Sequence, residues 1–183
     1  MHHIKLFEPI FGNWYAESLI GEGSFGRVYK IKREEFGNSY FSALKLISLP
    51  QNISEVKQLK YDGMDEKSIS DYYSSLVKDI LSEIRLMNRL RGNSNIVSYE
   101  DHVIIPHDNG IGYDTMIRME LLTSLNEYTA SHAFSKSDVI RLGVDLCRAL
   151  ELCQKYNIIH RDIKSDNIFV SENGDYKLGD FGI

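Results

Sequence analysis

Asn167 and Asp180 are the residues whose types and spacing first point to chemistry. Both offer oxygen ligands suited to a hard cation. They bracket two short runs, Ile168-Phe169-Val170 and Tyr176-Lys177-Leu178, on either side of a turn cluster from Ser171 to Asp175. The Asn173-Gly174 pair signals a hairpin, because both central residues of the tightest hairpin turn need positive φ. Asn167 lies as far before Asn173 as Asp180 lies after Gly174. A regular hairpin on that turn sets the two facing each other at its open end, roughly 4.5–5.5 Å apart at Cα; a longer turn slips the register. Alone, the pattern reads equally as a cation site and as a surface hairpin with polar ends.

The neighbouring residues separate these readings. His160-Arg161-Asp162, Lys164, Asn167 and Asp180-Phe181-Gly182 stand in the order and spacing of a catalytic loop followed by a metal-binding DFG. In this the chain resembles the protein kinases. The resemblance implies that Asp162 accepts the substrate hydroxyl proton and that Asn167 and Asp180 hold magnesium. It implies that Lys164 contacts the transferring phosphate, as in serine/threonine kinases. It also implies that His160 and Phe181 stack with Met87 and Tyr99 into a packed spine, with Phe169 beneath the adenine.

Other elements must bring a nucleotide to these groups. Gly21-Glu22-Gly23-Ser24-Phe25-Gly26 follows a candidate strand over 14–20. A dinucleotide fold needs a helix after such glycines. Here Arg27 to Arg33 reads as a second strand, rich in β-branched and aromatic residues. Strand, glycine loop, strand and the trailing Val28 again resemble the kinases. The implied nucleotide contacts are Ile20, Gly21, Glu22, Gly23, Ser24, Phe25, Gly26 and Val28. After a turn at Gly37-Asn38, a third strand over 39–47 puts Ala43 and Lys45 on one face. Ser-Ala-Leu-Lys resembles the family's VAIK, which implies Ala43 against the adenine and Lys45 on the α- and β-phosphates.

Residues 50–75 are polar, with a turn at Asp62-Gly63 between two short helical stretches. They read as an insertion or an extended helix start. Leu76, Ile80, Ile84, Met87 and Leu90 recur at helical spacing, which predicts a helix over 72–91. Glu83 sits where the resemblance places the partner of Lys45, and Asp79 is the rival. Strands over 96–105 and 115–119 surround a turn at Asp108-Asn109-Gly110. Met119-Glu120-Leu121-Leu122 then resembles the kinase hinge. Met119 is the implied gatekeeper, and the Glu120 carbonyl and Leu122 amide are the implied contacts to the adenine edge. A short helix over 125–131 and a longer one from Ser135 or Ser137 to about Tyr156 follow. The apolar face of the longer helix is Val139, Leu142, Leu146, Leu150 and Cys153. It leads into Asn157-Ile158-Ile159, read as a short buried strand.

The chain has 183 residues, enough for one domain with a core. Its net charge of −5 gives no basic footprint for nucleic acid. No apolar run approaches a membrane span, and the first residues lack the pattern of a secretory signal. Cys147 and Cys153 read as reduced core thiols of a cytoplasmic protein. The expected fold class is α+β, a protein-kinase-like two-lobe fold: a five-stranded antiparallel N-lobe sheet with helix C, and a truncated, mainly helical C-lobe. Residues 1–13 are a lead-in, 14–119 the N-lobe, 120–124 the hinge and 125–183 the partial C-lobe. The implied activity is transfer of the γ-phosphate of ATP, with Mg2+, to serine or threonine hydroxyls of a protein substrate. A non-catalytic nucleotide-binding module is the alternative, and a small-molecule phosphotransferase a third reading. The resemblance runs to Ile183, directly after the DFG, without a peptide-docking platform. Apolar surface from Val139 to Cys153 is therefore expected to be exposed and open to self-association. Lys45, Asp162, Asn167 and Asp180 are expected to converge on one magnesium–triphosphate pocket.

Overall fold

Strand alternation organises the first half of the chain. The computed structural model describes residues 2–23, 26–108 and 110–181, so Met1, Ser24, Phe25, Asn109, Gly182 and Ile183 lie outside the described residues. β1 (Tyr15–Gly23), β2 (Gly26–Glu35), β3 (Asn38–Leu49), β4 (Tyr99–Pro106) and β5 (Tyr113–Met119) form a five-stranded sheet in the order β1-β2-β3-β5-β4. The β1–β2, β2–β3 and β3–β5 pairs are antiparallel. One face packs Tyr29, Ile31, Leu44, Leu46 and Met116 into a core with Ile4, Ile10 and Trp14. The period of two turns Ala43, Lys45 and Ile47 to the opposite face. The segment before Trp14 thus has a clear role. Helix α1 (His2–Lys5) and the following loop bring Ile4 and Ile10 into the sheet core, fully buried. Arg33 and Arg118 lie over the Trp14 ring at 5.1 and 4.9 Å from its centre.

The β2–β3 turn falls one residue earlier than expected. Glu35 pairs with Asn38, and Phe36 and Gly37 take φ of 48° and 79° between them. A two-residue turn of this hand needs positive φ at both positions, and Gly37 supplies the second at little cost.

Residues 50–75 prove to be both an extra helix and an extended start. α2 (Ile53–Tyr61) is capped by Asn52, whose side-chain oxygen accepts the Ser54 and Glu55 amides. α3 (Glu66–Leu90) begins before residue 72 because the Asp65 carboxylate accepts the Ser68 amide at 2.8 Å. Ile69, Tyr73, Val77, Ile80, Ile84 and Met87 are its buried stripe, which runs two turns further back than the expected one.

The chain divides into two compact units, one of residues 1–84 and 100–119, the other of 85–99 and 120–183. The second contains β6 (Thr123–Ser124), β7 (Ile168–Val170) and β8 (Tyr176–Leu178) in one small sheet. It also contains α4 (Leu125–Ser131) and α5 (Lys136–Lys155). Ser135 caps α5 reciprocally with Asp138 in a capping box. The buried side of α5 carries Asp145, Ala149 and Cys153. Val139 and Leu150, read as part of the apolar face, are 55% and 37% exposed together with Ile140 and Val144, in keeping with the exposed apolar surface expected from Val139 onward, whereas Cys153 is buried. The face is displaced because Asp145 is drawn inward: its carboxylate accepts the Tyr176 amide at 3.1 Å and faces Arg148. Of the two cysteines only Cys153 is a core thiol; Cys147 is exposed. Residues 157–159 are not a strand. Asn157 has φ 57°, the Ile158 amide returns to the Cys153 carbonyl at 2.8 Å, and Ile159 is exposed. These bonds close the helix instead. Among the described residues no helix is long and apolar enough to cross a membrane.

Candidate active site

The hairpin carrying Asn167 and Asp180 has a different register from the one expected. Ile168 pairs with Leu178, Phe169 with Lys177 and Val170 with Tyr176. Asn167 therefore opposes Gly179, whose amide donates to the Asn167 carbonyl at 2.9 Å, and Asp180 lies one residue beyond. The cause is the turn. Ser171 donates its amide to Asp175, Gly174 donates to Ser171, and the Asp175 amide returns to the Ser171 hydroxyl. Of the Asn173-Gly174 pair, only Gly174 takes positive φ, at 79°. This is a three-residue hairpin loop rather than a two-residue one. Asp180 itself has φ 57°, and Arg161 in the preceding loop has φ 68°. Left-handed backbone at non-glycine residues costs energy, and surrounding bonds must hold it.

Those bonds centre on His160 and Gly179. His160 is buried, its ring packed against Phe181 at a tilt of 46° with centroids 4.8 Å apart. Its Nδ1 faces the Asp162 amide at 3.4 Å and its Nε2 faces the Gly179 carbonyl at 3.0 Å. An amide only donates and a carbonyl only accepts, so this network assigns the proton to Nε2. Met87 and Tyr99, the other expected spine members, are buried in the same unit. A Cβ on Gly179 would fall 2.6 Å from Val97 Cγ2 and 3.1 Å from Phe169 Cε2, so side-chain crowding disfavours any larger residue here.

Asp162 is brought together with two of its expected partners. Lys164 Nζ lies 2.7 Å from Asp162 Oδ2, and Asn167 Nδ2 donates to Asp162 Oδ2 at 2.9 Å and to its carbonyl at 2.8 Å. The Lys164 hydrogen bond, with Asn167 helping, holds the Asp162 carboxyl below the usual range. Asp162 in turn raises the Lys164 ammonium. Both N–H bonds of the Asn167 amide are spent on Asp162, which leaves its side-chain oxygen to serve as a ligand. That oxygen and the exposed Asp180 carboxylate suit magnesium by donor type.

The residues expected around a nucleotide share adjacent register rows of the five-stranded sheet. Gly21 pairs with Val28, Val28 with Lys45, and Ala43 with Met119. Gly23 pairs with Gly26 at the tip of the β1–β2 hairpin, and Arg27 Nε donates to Glu22 at 2.8 Å beside it. Gly26 is a steric necessity: its φ is 127° and a Cβ would sit 2.2 Å from the Leu46 carbonyl oxygen. Gly21 and Gly23 are not, since a Cβ there meets only ordinary contact or open space among the described residues. Ile20 is exposed, whereas Lys45 is half-buried. Glu83, on α3 in the same unit, is half-buried, with one carboxylate oxygen withdrawn from solvent.

Two positioning residues escaped the sequence reading. Lys177 is flanked by buried Tyr176 and Leu178, so alternation turns it to the face of its cross-strand partner Phe169. Its ammonium bonds both oxygens of Glu120 at 2.8 Å. Asp145 is the other, anchoring the start of β8. No local pattern marks either: Lys177 lies on the strand face opposite its buried neighbours, and Asp145 lies off the apolar stripe of α5.

A glycine-bearing hairpin and a strand lysine on a five-stranded antiparallel sheet, followed by the His160–Asn167 loop and the β7–β8 hairpin, are the parts of a kinase-like two-lobe α+β fold. The chain belongs to the protein kinase family: the protein kinase domain matches residues 14–183. It is 33% identical over 174 residues to the probable serine/threonine-protein kinase nek3 of Dictyostelium discoideum, covering 90% of this chain and 13% of that protein. It is 35% identical over 169 residues to the serine/threonine-protein kinase pakA of the same organism, covering 92% of this chain and 12% of that one. It is 30% identical over 173 residues to the serine/threonine-protein kinase Nek2 of Mus musculus, covering 90% of this chain and 34% of that one. The chain thus spans only a minor part of these curated relatives.

Proposed function

We propose that residues 14–183 act as a serine/threonine kinase domain, moving the γ-phosphate of ATP to a protein hydroxyl. The carrying observation is the cluster of Asp162, Lys164 and Asn167, in which one carboxylate is fixed by an ammonium and an amide. Asp162 accepts a hydrogen bond from the substrate hydroxyl and orients its oxygen toward the γ-phosphorus. The new O–P bond forms as the bond to the β-phosphate oxygen breaks, ADP leaves, and the hydroxyl proton passes to Asp162. A carboxylate held below its usual range is a weak base, which suits a loose transition state where positioning outweighs early proton removal. Lys164, beside it, supplies positive charge to the transferring phosphate. Asn167 and Asp180 hold magnesium, which when bound neutralises phosphate charge. The glycine hairpin and Lys45, paired with Glu83, take the phosphates. The lack of crowding at Gly21 and Gly23 among the described residues supports this, because those residues do not themselves require glycine there. Ala43, Val28, Met119 and Phe169 supply the apolar contacts to the base.

The test is transfer of radiolabelled γ-phosphate to a generic protein acceptor, with Asp162→Asn as control. Transfer that is lost in the variant supports the kinase reading. Thermal stabilisation by Mg-ATP without any transfer would instead identify a nucleotide-binding module.

A further inference from the structure

Glu120 makes an unusual exchange with Ser98. Its amide donates to the Ser98 carbonyl at 3.0 Å, as in an antiparallel pair. The return bond differs. The Ser98 amide goes to the Glu120 carboxylate, Oε1, at 2.5 Å, and not to the Glu120 main-chain carbonyl. An amide has one hydrogen, so the donor that Ser98 might offer that carbonyl is already spent. The carboxylate is held in this place by Lys177, whose ammonium lies 2.8 Å from both oxygens. The pair is largely withdrawn from water, with side chains 13% and 23% exposed, so the bonds are poorly screened. Lys177 stands on β8 opposite Phe169 and two residues before Gly179, so the clamp is built on the hairpin that carries Asp180.

We propose that Lys177 is a positioning residue for base recognition. By clamping the Glu120 carboxylate onto the Ser98 amide, it keeps the Glu120 main-chain carbonyl available as an acceptor for the 6-amino group of adenine. Without the lysine, the carboxylate loses its compensating charge and turns to water. The Ser98 amide then bonds the main-chain carbonyl, in competition with the base. This rests on the ATP-binding reading above and adds a specificity device to it.

The experiment compares binding of Mg-ATP and of the magnesium complex of purine riboside triphosphate, which lacks the 6-amino group, by titration calorimetry on the full chain. Wild type should prefer ATP, and Lys177→Met should reduce that preference about tenfold by weakening ATP selectively. Lys177→Arg should restore it. A merely structural role for Lys177 weakens both nucleotides equally, and that result, or an unchanged preference, overturns the inference. If Lys177→Met does not fold, Glu120→Leu removes the same acceptor and should show the same selective loss. Amide hydrogen exchange at Ser98 without nucleotide gives an independent reading. It should accelerate in Lys177→Met and not in Lys177→Arg, and equal rates in all three proteins overturn the clamp. Failure of wild type to bind either nucleotide would instead sink the kinase reading, while the exchange comparison would still decide on the clamp.

Discussion

The Lys164 ammonium lies 2.7 Å from the Asp162 carboxylate, and each moves the other's titration. The folded Asp162 carboxyl is lowered, chiefly by the Lys164 hydrogen bond. Its stabilisation is therefore present above the unfolded carboxylate value of about 3.9 and is lost as pH falls through the lower folded value. The Lys164 ammonium is raised, so its share is present below about 10.4 and is lost as pH rises through the folded value. The melting-temperature difference between wild type and Lys164→Met should be flat from about pH 5 to 9 and close at both extremes. A difference that changes steadily between pH 5 and 8 would contradict the pairing.

Gly179 makes a second prediction. Its added methyl would press on Val97 and on the Phe169 ring, both of them side chains, so the neighbours can yield in part. Gly179→Ala should cost about 1–3 kcal/mol, measured by denaturant unfolding. Adding Val97→Ala should recover part of that loss. Full additivity of the two losses would show that the clash lies elsewhere.

Asp145 is buried on α5 with the Tyr176 amide as its partner. Asp145→Ala leaves that amide unsatisfied in the interior and should cost about 1–3 kcal/mol. Asp145→Asn keeps an acceptor oxygen and should cost less. Equal losses in the two variants would assign the cost to the charge and Arg148 rather than to the amide.

The cysteines should differ in reactivity. Cys153 is buried and burial pushes its thiol up, whereas Cys147 is exposed. A thiol-specific alkylating reagent at neutral pH should label Cys147 and spare Cys153 in the folded protein, with both labelled in denaturant. Peptide mass mapping gives the answer directly.

Most of what positions the site was legible in local pattern. Strand period, glycine spacing and the His160–Phe181 motif run located the five-stranded sheet and the β7–β8 hairpin. The misreadings arose where a side chain took over a bond normally assigned to backbone. Asn173-Gly174 suggested the shortest turn, yet the Ser171 hydroxyl and Asp175 close a longer one, and the slip moves Asp180 off Asn167. Apolar residues alone do not define the inner face of α5, because Asp145 turns inward to serve the Tyr176 amide while Val139 and Leu150 stay exposed. Lys177 sits inside the short run Tyr176-Lys177-Leu178, and nothing local tells that Glu120 awaits it 57 positions away in the chain. Ile4 and Ile10 were unreadable for a similar reason: a few residues without period carry no signal of the surface they will cover.

That last contact bears on how the protein can be handled. The protein kinase domain match begins at residue 14, but the packed sheet core reaches back to Ile4. A fragment expressed from Trp14 forfeits two fully buried isoleucines, each worth about 1.5–3 kcal/mol, and uncovers the greasy back of the sheet to solvent. A boundary drawn at the start of the domain match would thus cut through the packing of the sheet rather than between packed units.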